Sequence, residues 1–285
     1  RTILAFDKDH KEYDMSVVGC PEHIAVAKEA AEKGITLIKN ENVLPLKREE
    51  TKKLALIGKL ANTAIIGDHG SSWVRPPYVV TPEDGLKKAN AECEVIFDDG
   101  SDLDRAKKLA AESDAVVFVV GYNYDDEGEF VSGDQASNYT GGMGGDRKVS
   151  LGLHEDEVKL LQEVGPVNEK SAAVLVGGNM IMMTEWYDKV NAVIMAYYPG
   201  MEGGTALAEI IYGDVNPSGK LPYVVPYSED DLPHVDWEAT DQYYEYYHGY
   251  TRLEKNGVKP LVPYGFGLSY TTFEYGTPRA TATTI

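Results

Sequence analysis

Short apolar runs alternate with helical patterns along most of the chain. Residues 115–121 (AVVFVVG) and 171–176 (SAAVLV) are continuous apolar runs, typical of strands that are covered on both faces. Residues 21–34 and 153–165 instead place apolar positions at helical spacing, and each of these segments ends in glycine. Strands that alternate with helices indicate βαβ units and a mostly parallel sheet. The predicted fold class is therefore α/β, a three-layer α/β/α sandwich with helices on both faces of the sheet.

The pattern changes near both ends of the chain. Residues 1–20 show no clear periodicity, and we expect them to form a linker. Residues 21–225 carry the alternating strands and helices and form the predicted sandwich domain. Residues 226–285 are rich in Tyr, Gly and Pro, which predicts an irregular C-terminal extension packed on the flank of the sheet.

Net charge narrows the choice of partners. Asp and Glu number 46 against 27 Lys and Arg, which gives a formal net charge of −19. A chain this acidic is repelled by phosphate backbones and by anionic membranes, so we expect no nucleic-acid or membrane partner. The chain begins with Arg rather than Met and lacks a signal-peptide core, so we expect a piece of a longer chain, and nothing in it assigns a compartment.

The sequence shows no pattern for a metal or a cofactor. Cys20 and Cys93 are far apart and form neither a disulfide framework nor a zinc pattern. Residues 154–157 (HEDE) lack the H-E-x-x-H spacing, and residues 141–147 (GGMGGDR) lack the context of a phosphate-binding loop. We therefore predict chemistry that uses the side chains of the protein alone.

Four acidic residues follow the apolar run 115–121, namely Asp125, Asp126, Glu127 and Glu129. Ligands of open α/β sheets bind beyond the carboxyl ends of the strands, which is where this loop lies. Glycoside cleavage needs one carboxylic acid to protonate the leaving oxygen and a second carboxylate as nucleophile or base. A solvated acidic loop has the same composition, so the residues alone leave both interpretations open.

Longer segments resemble, in the same order, the C-terminal α/β sandwich domain of the family 3 glycoside hydrolases, the β-glucosidases and their relatives. Together they cover most of residues 21–276. The matching segments are 25–46 (AVAKEAAEKGITLIKNENVLPL), 67–86 (GDHGSSWVRPPYVVTPEDGL), 119–153, 198–226 (YPGMEGGTALAEIIYGDVNPSGKLPYVVP) and 262–276 (VPYGFGLSYTTFEYG). The resemblance implies a glycosidase that retains anomeric configuration and acts on a β-glucoside or an oligosaccharide, with terminal β-D-glucosyl residues as the expected target.

The same resemblance implies a divided catalytic apparatus. In that family a (β/α)8 barrel carries an aspartate nucleophile, and a loop of the sandwich domain carries the acid/base glutamate. The loop in relatives often reads Glu-x-Glu-Gly-x-Asp-Arg, whereas here EGE (127–129) is separated from GDR (145–147) by an insertion. Matching by order puts Glu127 at the acid/base position, with Glu129 as the alternative.

Neighbouring loops supply further candidates. Four residues are candidate sugar contacts, Trp73 and Tyr122 as aromatic walls and His69 and Arg75 as partners of hydroxyl groups. Ordinary loop packing is the alternative for His69 and Arg75. Asp146 and Arg147 are interpreted as a structural pair.

The chain departs from the family pattern in one respect. It contains neither the Ser-Asp-Trp-like motif of the nucleophile nor an eightfold strand–helix repeat ahead of residue 21. We therefore expect no nucleophile in this chain and no activity without a barrel, as a covalent neighbour or as a separate chain. The alternative is a non-catalytic carbohydrate-binding or dimerisation module with the same fold, and a homodimer is compatible with either reading.

Overall fold

Eight β-strands are present in the part of the chain that the computed structural model describes, residues 14–67, 71, 73–131, 143–145, 147, 150–236 and 238–280. The strands are β1 (Thr36–Asn40), β2 (Lys53–Ile57), β3 (Glu94–Asp98), β4 (Ala115–Gly121), β5 (Gly128–Val131), β6 (Met143–Gly145), β7 (Ser171–Val176) and β8 (Ala192–Met195).

Six α-helices lie within the same described residues. They are α1 (Pro21–Gly34), α2 (Pro82–Ala89), α3 (Leu103–Ala111), α4 (Glu155–Val164), α5 (Gly203–Ile211) and α6 (Gly249–Asn256). None of these helices has the length and apolarity needed to cross a lipid bilayer.

Six strands form one sheet in the order β1-β8-β7-β4-β2-β3. Every neighbouring pair runs parallel except β1 and β8, which pair antiparallel at one edge. The prediction of a mostly parallel α/β sheet is confirmed. The strands β8, β7 and β4 are consecutive in this order, so the loops that follow them leave the same edge of the sheet side by side.

Both faces of the sheet are buried, as the uninterrupted apolar run of β4 requires. Val117 and Val119 pack into the core cluster that includes residues of α2 and α5. Phe118, between them, faces the opposite cluster with residues of α3 and α4. Successive side chains of a strand point to opposite faces, so an apolar residue at every position is what a central strand with two covered faces needs.

Local signals explain where helix α2 begins and how closely it packs. The Thr81 side chain accepts a hydrogen bond from the Asp84 backbone, the Asp84 side chain accepts one in return, and Pro82 occupies the first turn. This capping box satisfies backbone donors that the helix itself leaves unpaired. A Cβ on Gly85 would overlap the carbonyl oxygen of Gly204, so glycine at this position lets α2 lie directly against α5.

One segment of the extension and the two ends of the insertion form regular structure that the sequence pattern did not predict. Residues 249–256 of the Tyr-rich extension form helix α6, which ends at Gly257 in the left-handed conformation. The two ends of the insertion pair as antiparallel strands β5 and β6, with Gly128 opposite Gly145. This pairing brings Arg147 back to the acidic loop.

Candidate functional site

Loops from the carboxyl ends of three neighbouring strands meet at the side chain of Glu127. Glu127 lies on the loop that leaves β4, Gly178 follows β7 and Tyr198 follows β8. Carboxyl ends of parallel strands are where α/β sheets bind their ligands.

The Glu127 carboxylate has a different environment at each oxygen. Oε1 accepts a hydrogen bond from the Tyr198 hydroxyl at 2.7 Å and another from the Gly178 backbone N–H. Oε2 lies 3.0 Å from Nε of Arg147, and the side chains of Glu127 and Arg147 are only 12% and 7% exposed. The carboxylate is thus oriented by three donors from three separate loops.

Arg147 is fixed on all sides. Its Nη2 donates to the Met180 carbonyl at 2.8 Å, its Nη1 donates to the Leu151 carbonyl at 3.3 Å, and its guanidinium lies 4.4 Å from the centre of the Tyr122 ring. The predicted partner, Asp146, lies outside the described residues. The acidic partner of Arg147 in the structure is Glu127, so this arginine belongs to the candidate site.

A tight turn sets the direction of the Glu127 loop. Gly121 ends β4 with φ of 132°, and a Cβ there would overlap the Val176 carbonyl oxygen. The Asn123 carbonyl accepts from the backbone N–H of Glu127 at 3.1 Å, and the Asp126 carboxylate accepts from the Asn123 N–H at 3.0 Å. These bonds close the turn and aim Glu127 toward β7 and β8.

The glycine after β7 is required by the close approach of the neighbouring groups. A Cβ on Gly178 would lie 3.1 Å from Glu127 Oε1 and equally close to the Tyr198 ring. Any side chain at this position would therefore push apart the two groups that its backbone N–H helps to hold together.

Tyr198 acts as a donor to Glu127. Burial, followed by the hydrogen bond to Glu127, raises the pKa of the Tyr198 hydroxyl. The hydroxyl therefore keeps its proton over the working range of enzymes and can donate to the carboxylate.

An open cavity of about 720 Å³ lies against Glu127. The cavity is lined by the two charged residues of the site and by residues that follow β7 and β8. The lining residues include Glu127, Arg147, Asn179, Glu229, His234 and Tyr244. A carboxylate in the wall of such a cavity can exchange a proton with a bound ligand.

A second buried carboxylate lies beneath the loop. Glu157, in the first turn of α4, accepts a hydrogen bond from the Gly121 backbone N–H at 3.1 Å. Burial raises the pKa of Glu157 to about 8, with the nearby Asp126 and Asp156 contributing in the same direction. Glu157 ends the segment 154–157, which the sequence shows only as a run of polar residues without metal spacing, and the structure buries it.

The other candidates are placed differently. The Glu129 side chain is exposed, and its carboxylate accepts a hydrogen bond from the Ser71 backbone N–H. Trp73 is partly exposed, and the Arg75 guanidinium stacks 4.2 Å from its ring centre. His69 lies outside the described residues. The Ser71 contact brings the segment that carries Trp73 and Arg75 beside the acidic loop.

Tyr122 does not form an open wall. Its ring is buried, Arg147 covers one face, and the ring of His154 lies 5.0 Å away, centre to centre. The Tyr122 hydroxyl donates to the Gly152 carbonyl. This geometry argues against the predicted sugar contact, because no face of the ring remains for a pyranose, and it gives Tyr122 the task of supporting Arg147.

The sequence analysis did not name Tyr198 and Gly178 as residues of the candidate site. The available signal was their position, since each follows a predicted strand at its carboxyl end. Among the described residues no group of three or more His, Cys, Asp and Glu side chains is arranged to hold a metal ion.

Comparison with known proteins assigns the family. Residues 35–270 match the model of the glycosyl hydrolase family 3 C-terminal domain. This chain belongs to glycosyl hydrolase family 3. A Formosa agariphila protein named beta-xylosidase is 34% identical, with 98% of this chain aligned to 39% of the relative. Thermostable beta-glucosidase B of Acetivibrio thermocellus is 32% identical over 94% of this chain and 35% of its own length.

Solved structures of family 3 enzymes share the fold. A family 3 beta-glucosidase from Neurospora crassa matches with a TM-score of 0.78 and 28% identity, covering 96% of this chain and 35% of that one. The Bifidobacterium adolescentis GH3 beta-glucosidase matches with a TM-score of 0.73 and 26% identity over 95% of this chain and 39% of that one. This family 3 chain thus spans less than two fifths of the length of these relatives.

Proposed function

We propose that this domain supplies Glu127 as the acid/base residue of a retaining β-glycosidase that hydrolyses terminal β-D-glucosyl residues. The nucleophile would come from a (β/α)8 barrel, joined to this domain or present as a separate chain. One observation carries the assignment: loops from three neighbouring strands converge on Glu127 and present its carboxylate in the wall of an open cavity. Relatives named beta-glucosidase and beta-xylosidase support the reaction class.

The proposed reaction has two steps. In the first, the proton of Glu127 passes to the glycosidic oxygen as the bond from that oxygen to the anomeric carbon breaks and the nucleophile bonds to the same carbon. In the second, Glu127 takes a proton from water as the water oxygen attacks the anomeric carbon and releases the nucleophile. Two inversions restore the original configuration.

The contacts of the two oxygens favour Oε2 as the atom that transfers the proton. Oε1 accepts from Tyr198 and Gly178, and both bonds are compatible with a carbonyl-type oxygen. A protonated Oε2 carries an O–H group that donates a hydrogen bond. The guanidinium of Arg147 has only donors and cannot accept that bond. In the proposed cycle, the glycosidic oxygen replaces Arg147 as the partner of Oε2 until the proton has moved.

Glu129 is the less suitable candidate. Its exposed carboxylate is bonded to the backbone N–H of Ser71, on the segment before α2. Glu127, by contrast, is contacted by the loops after both β7 and β8.

Hydrolysis of cellobiose by isosteric variants tests the assignment. The domain is joined to a family 3 barrel, and Glu127→Gln is compared with its matched control Glu129→Gln. Cellobiose has a poor leaving group, so we expect Glu127→Gln to lower kcat by about 10²–10⁴-fold, the usual contribution of general acid catalysis. Glu129→Gln should stay within about threefold of the parent, on the scale of a single neutral hydrogen bond.

Three results would contradict the proposal. A loss confined to Glu129→Gln would transfer the role to that residue. Robust turnover by this chain without a barrel would mean that it contains its own nucleophile. Sugar binding without hydrolysis in the joined protein would favour the non-catalytic module instead.

A further inference from the structure

A second groove continues from the Glu127 cavity along the C-terminal extension. This groove, which we call the tyrosine groove, has a volume of about 710 Å³. Its lining shares six residues with the Glu127 cavity, namely Leu151, Asn179, Leu232, Pro233, Val235 and Tyr244. The two spaces therefore adjoin along these residues.

Four exposed tyrosines line the tyrosine groove, namely Tyr244, Tyr246, Tyr250 and Tyr264. The rings of Tyr250 and Tyr264 stack with their centres 4.8 Å apart. None of the four hydroxyls hydrogen bonds to another residue within the described part of the chain. Exposed aromatic surface of this density marks a binding site, since monomeric proteins rarely leave such patches uncovered without a function.

Asn179 lies where the two spaces join. It directly follows Gly178, whose backbone N–H holds Glu127, and its Oδ1 accepts from the Met180 N–H at 2.7 Å. Its NH2 group donates to no other described residue, so this group is available to a ligand at the junction.

The side chains of the tyrosine groove favour a neutral oligosaccharide as its ligand. A pyranose ring presents an apolar face that stacks on a phenol ring, and its hydroxyls pair with phenol hydroxyls and with carboxamides. The net charge of −19, with Glu229 and Asp230 in the adjoining wall, opposes anionic glycans.

We propose that the tyrosine groove binds the sugar units of a neutral oligosaccharide on the leaving-group side of the bond that Glu127 protonates. An enzyme that removes a terminal residue leaves the rest of the substrate beyond the glycosidic oxygen, and the tyrosine groove adjoins the cavity that Glu127 lines. The position of the sugars relative to the cleaved bond rests on the proposed function, whereas their binding by the tyrosines does not.

Binding of cellohexaose to this chain tests the proposal. Isothermal titration should show tighter binding of cellohexaose than of glucose. We expect Tyr250→Ala and Tyr246→Ala each to raise the Kd by about five- to tenfold, the effect of removing one stacking ring from a binding site. Tyr250→Phe keeps the stacking ring and loses only the hydroxyl, so its Kd should rise less than that of Tyr250→Ala.

Tyr243→Ala is the matched control. Tyr243 belongs to the same segment and is 89% exposed, close to the 86% of Tyr246, but it does not line the tyrosine groove. The Tyr243→Ala variant should bind cellohexaose with the parental Kd. Because Tyr246 is so exposed, its replacement tests binding without disturbing the fold.

Three results would overturn the proposal: equal Kd values for Tyr246→Ala and Tyr243→Ala, absence of cellohexaose binding by the parent, or tyrosine-dependent self-association without sugar binding. Failure of the acid/base assignment can be distinguished from failure of the tyrosine-groove proposal. Full hydrolysis by Glu127→Gln in the barrel-joined protein would overturn the catalytic role, whereas the Kd values of the tyrosine variants are measured without a barrel and would stand.

Discussion

The buried carboxyl of Glu157 makes the stability of the domain depend on pH in a defined direction. Its carboxylate lies beneath the acidic loop, where burial raises the pKa to about 8 even though the Gly121 N–H donates to it. The unfolded chain exposes the same group, whose ordinary pKa is 4.5. Between these values the folded state holds a proton that the unfolded state has lost, so the contribution of this group to stability is fully present below pH 4.5 and is lost as the pH rises toward 8.

The size of the effect follows from the difference between the two pKa values. A difference of about 3.5 units, at 1.36 kcal/mol per unit, corresponds to about 5 kcal/mol once the pH is well above 8. Most of this loss, about 3–4 kcal/mol, falls between pH 5 and pH 8.

The substitution Glu157→Gln isolates this contribution, because glutamine keeps the shape and an acceptor for the Gly121 N–H but never ionises. Urea unfolding at several pH values should show the variant gaining about 3 kcal/mol over the parent between pH 5 and pH 8. Glu155→Gln, which changes an exposed carboxylate in the same helical turn, should show a nearly constant difference. Parallel stability curves for Glu157→Gln and the parent would refute the reasoning.

Three other substitutions test the fold. Thr81→Ala removes the N-cap of α2 and should lower the free energy of unfolding by about 1 kcal/mol, whereas Thr240→Ala in an exposed loop should leave it unchanged in the same urea titration. Phe118→Ala opens a cavity beside the central sheet and should lower the free energy of unfolding by about 3–5 kcal/mol. A midpoint of thermal unfolding equal to that of the parent would count against a core on both faces of the sheet. Gly121→Ala places a Cβ against the Val176 carbonyl at a φ of 132°, so chemical denaturation should show a loss of at least about 1 kcal/mol, and an unchanged midpoint would contradict the described turn.

The sequence predicts those strands and helices whose pattern lies within a few neighbouring residues. The run of β4 is apolar at every position, and α2 begins with Thr81 and Pro82 in the order that caps a helix. Helix α6 was missed because its eight residues bury only Leu253, which leaves no apolar stripe to recognise. Strands β5 and β6 were missed because their pairing joins glycine-rich ends on either side of an insertion.

The contacts within the site depend on tertiary proximity that the sequence does not display. Glu127 could be selected from its place after β4 and from its family resemblance. The position of Arg147 against Glu127, twenty residues away in sequence, depends on how the chain returns after the insertion. Tyr122 was assigned to the sugar site because an aromatic ring beside carboxylates suits a pyranose, but Arg147 covers one face of its ring.

Rescue of Glu127→Ala by azide tests the central claim most directly. The substrate is an aryl β-glucoside with a good leaving group, so the nucleophile of the joined barrel can still form the glycosyl-enzyme without an acid. Azide attacks this intermediate without needing a general base, whereas water needs one. The account predicts that azide restores turnover of Glu127→Ala and yields the β-glucosyl azide, with no such effect for Glu129→Ala. Unimpaired hydrolysis by Glu127→Ala without azide, or azide rescue of Glu129→Ala alone, would contradict it.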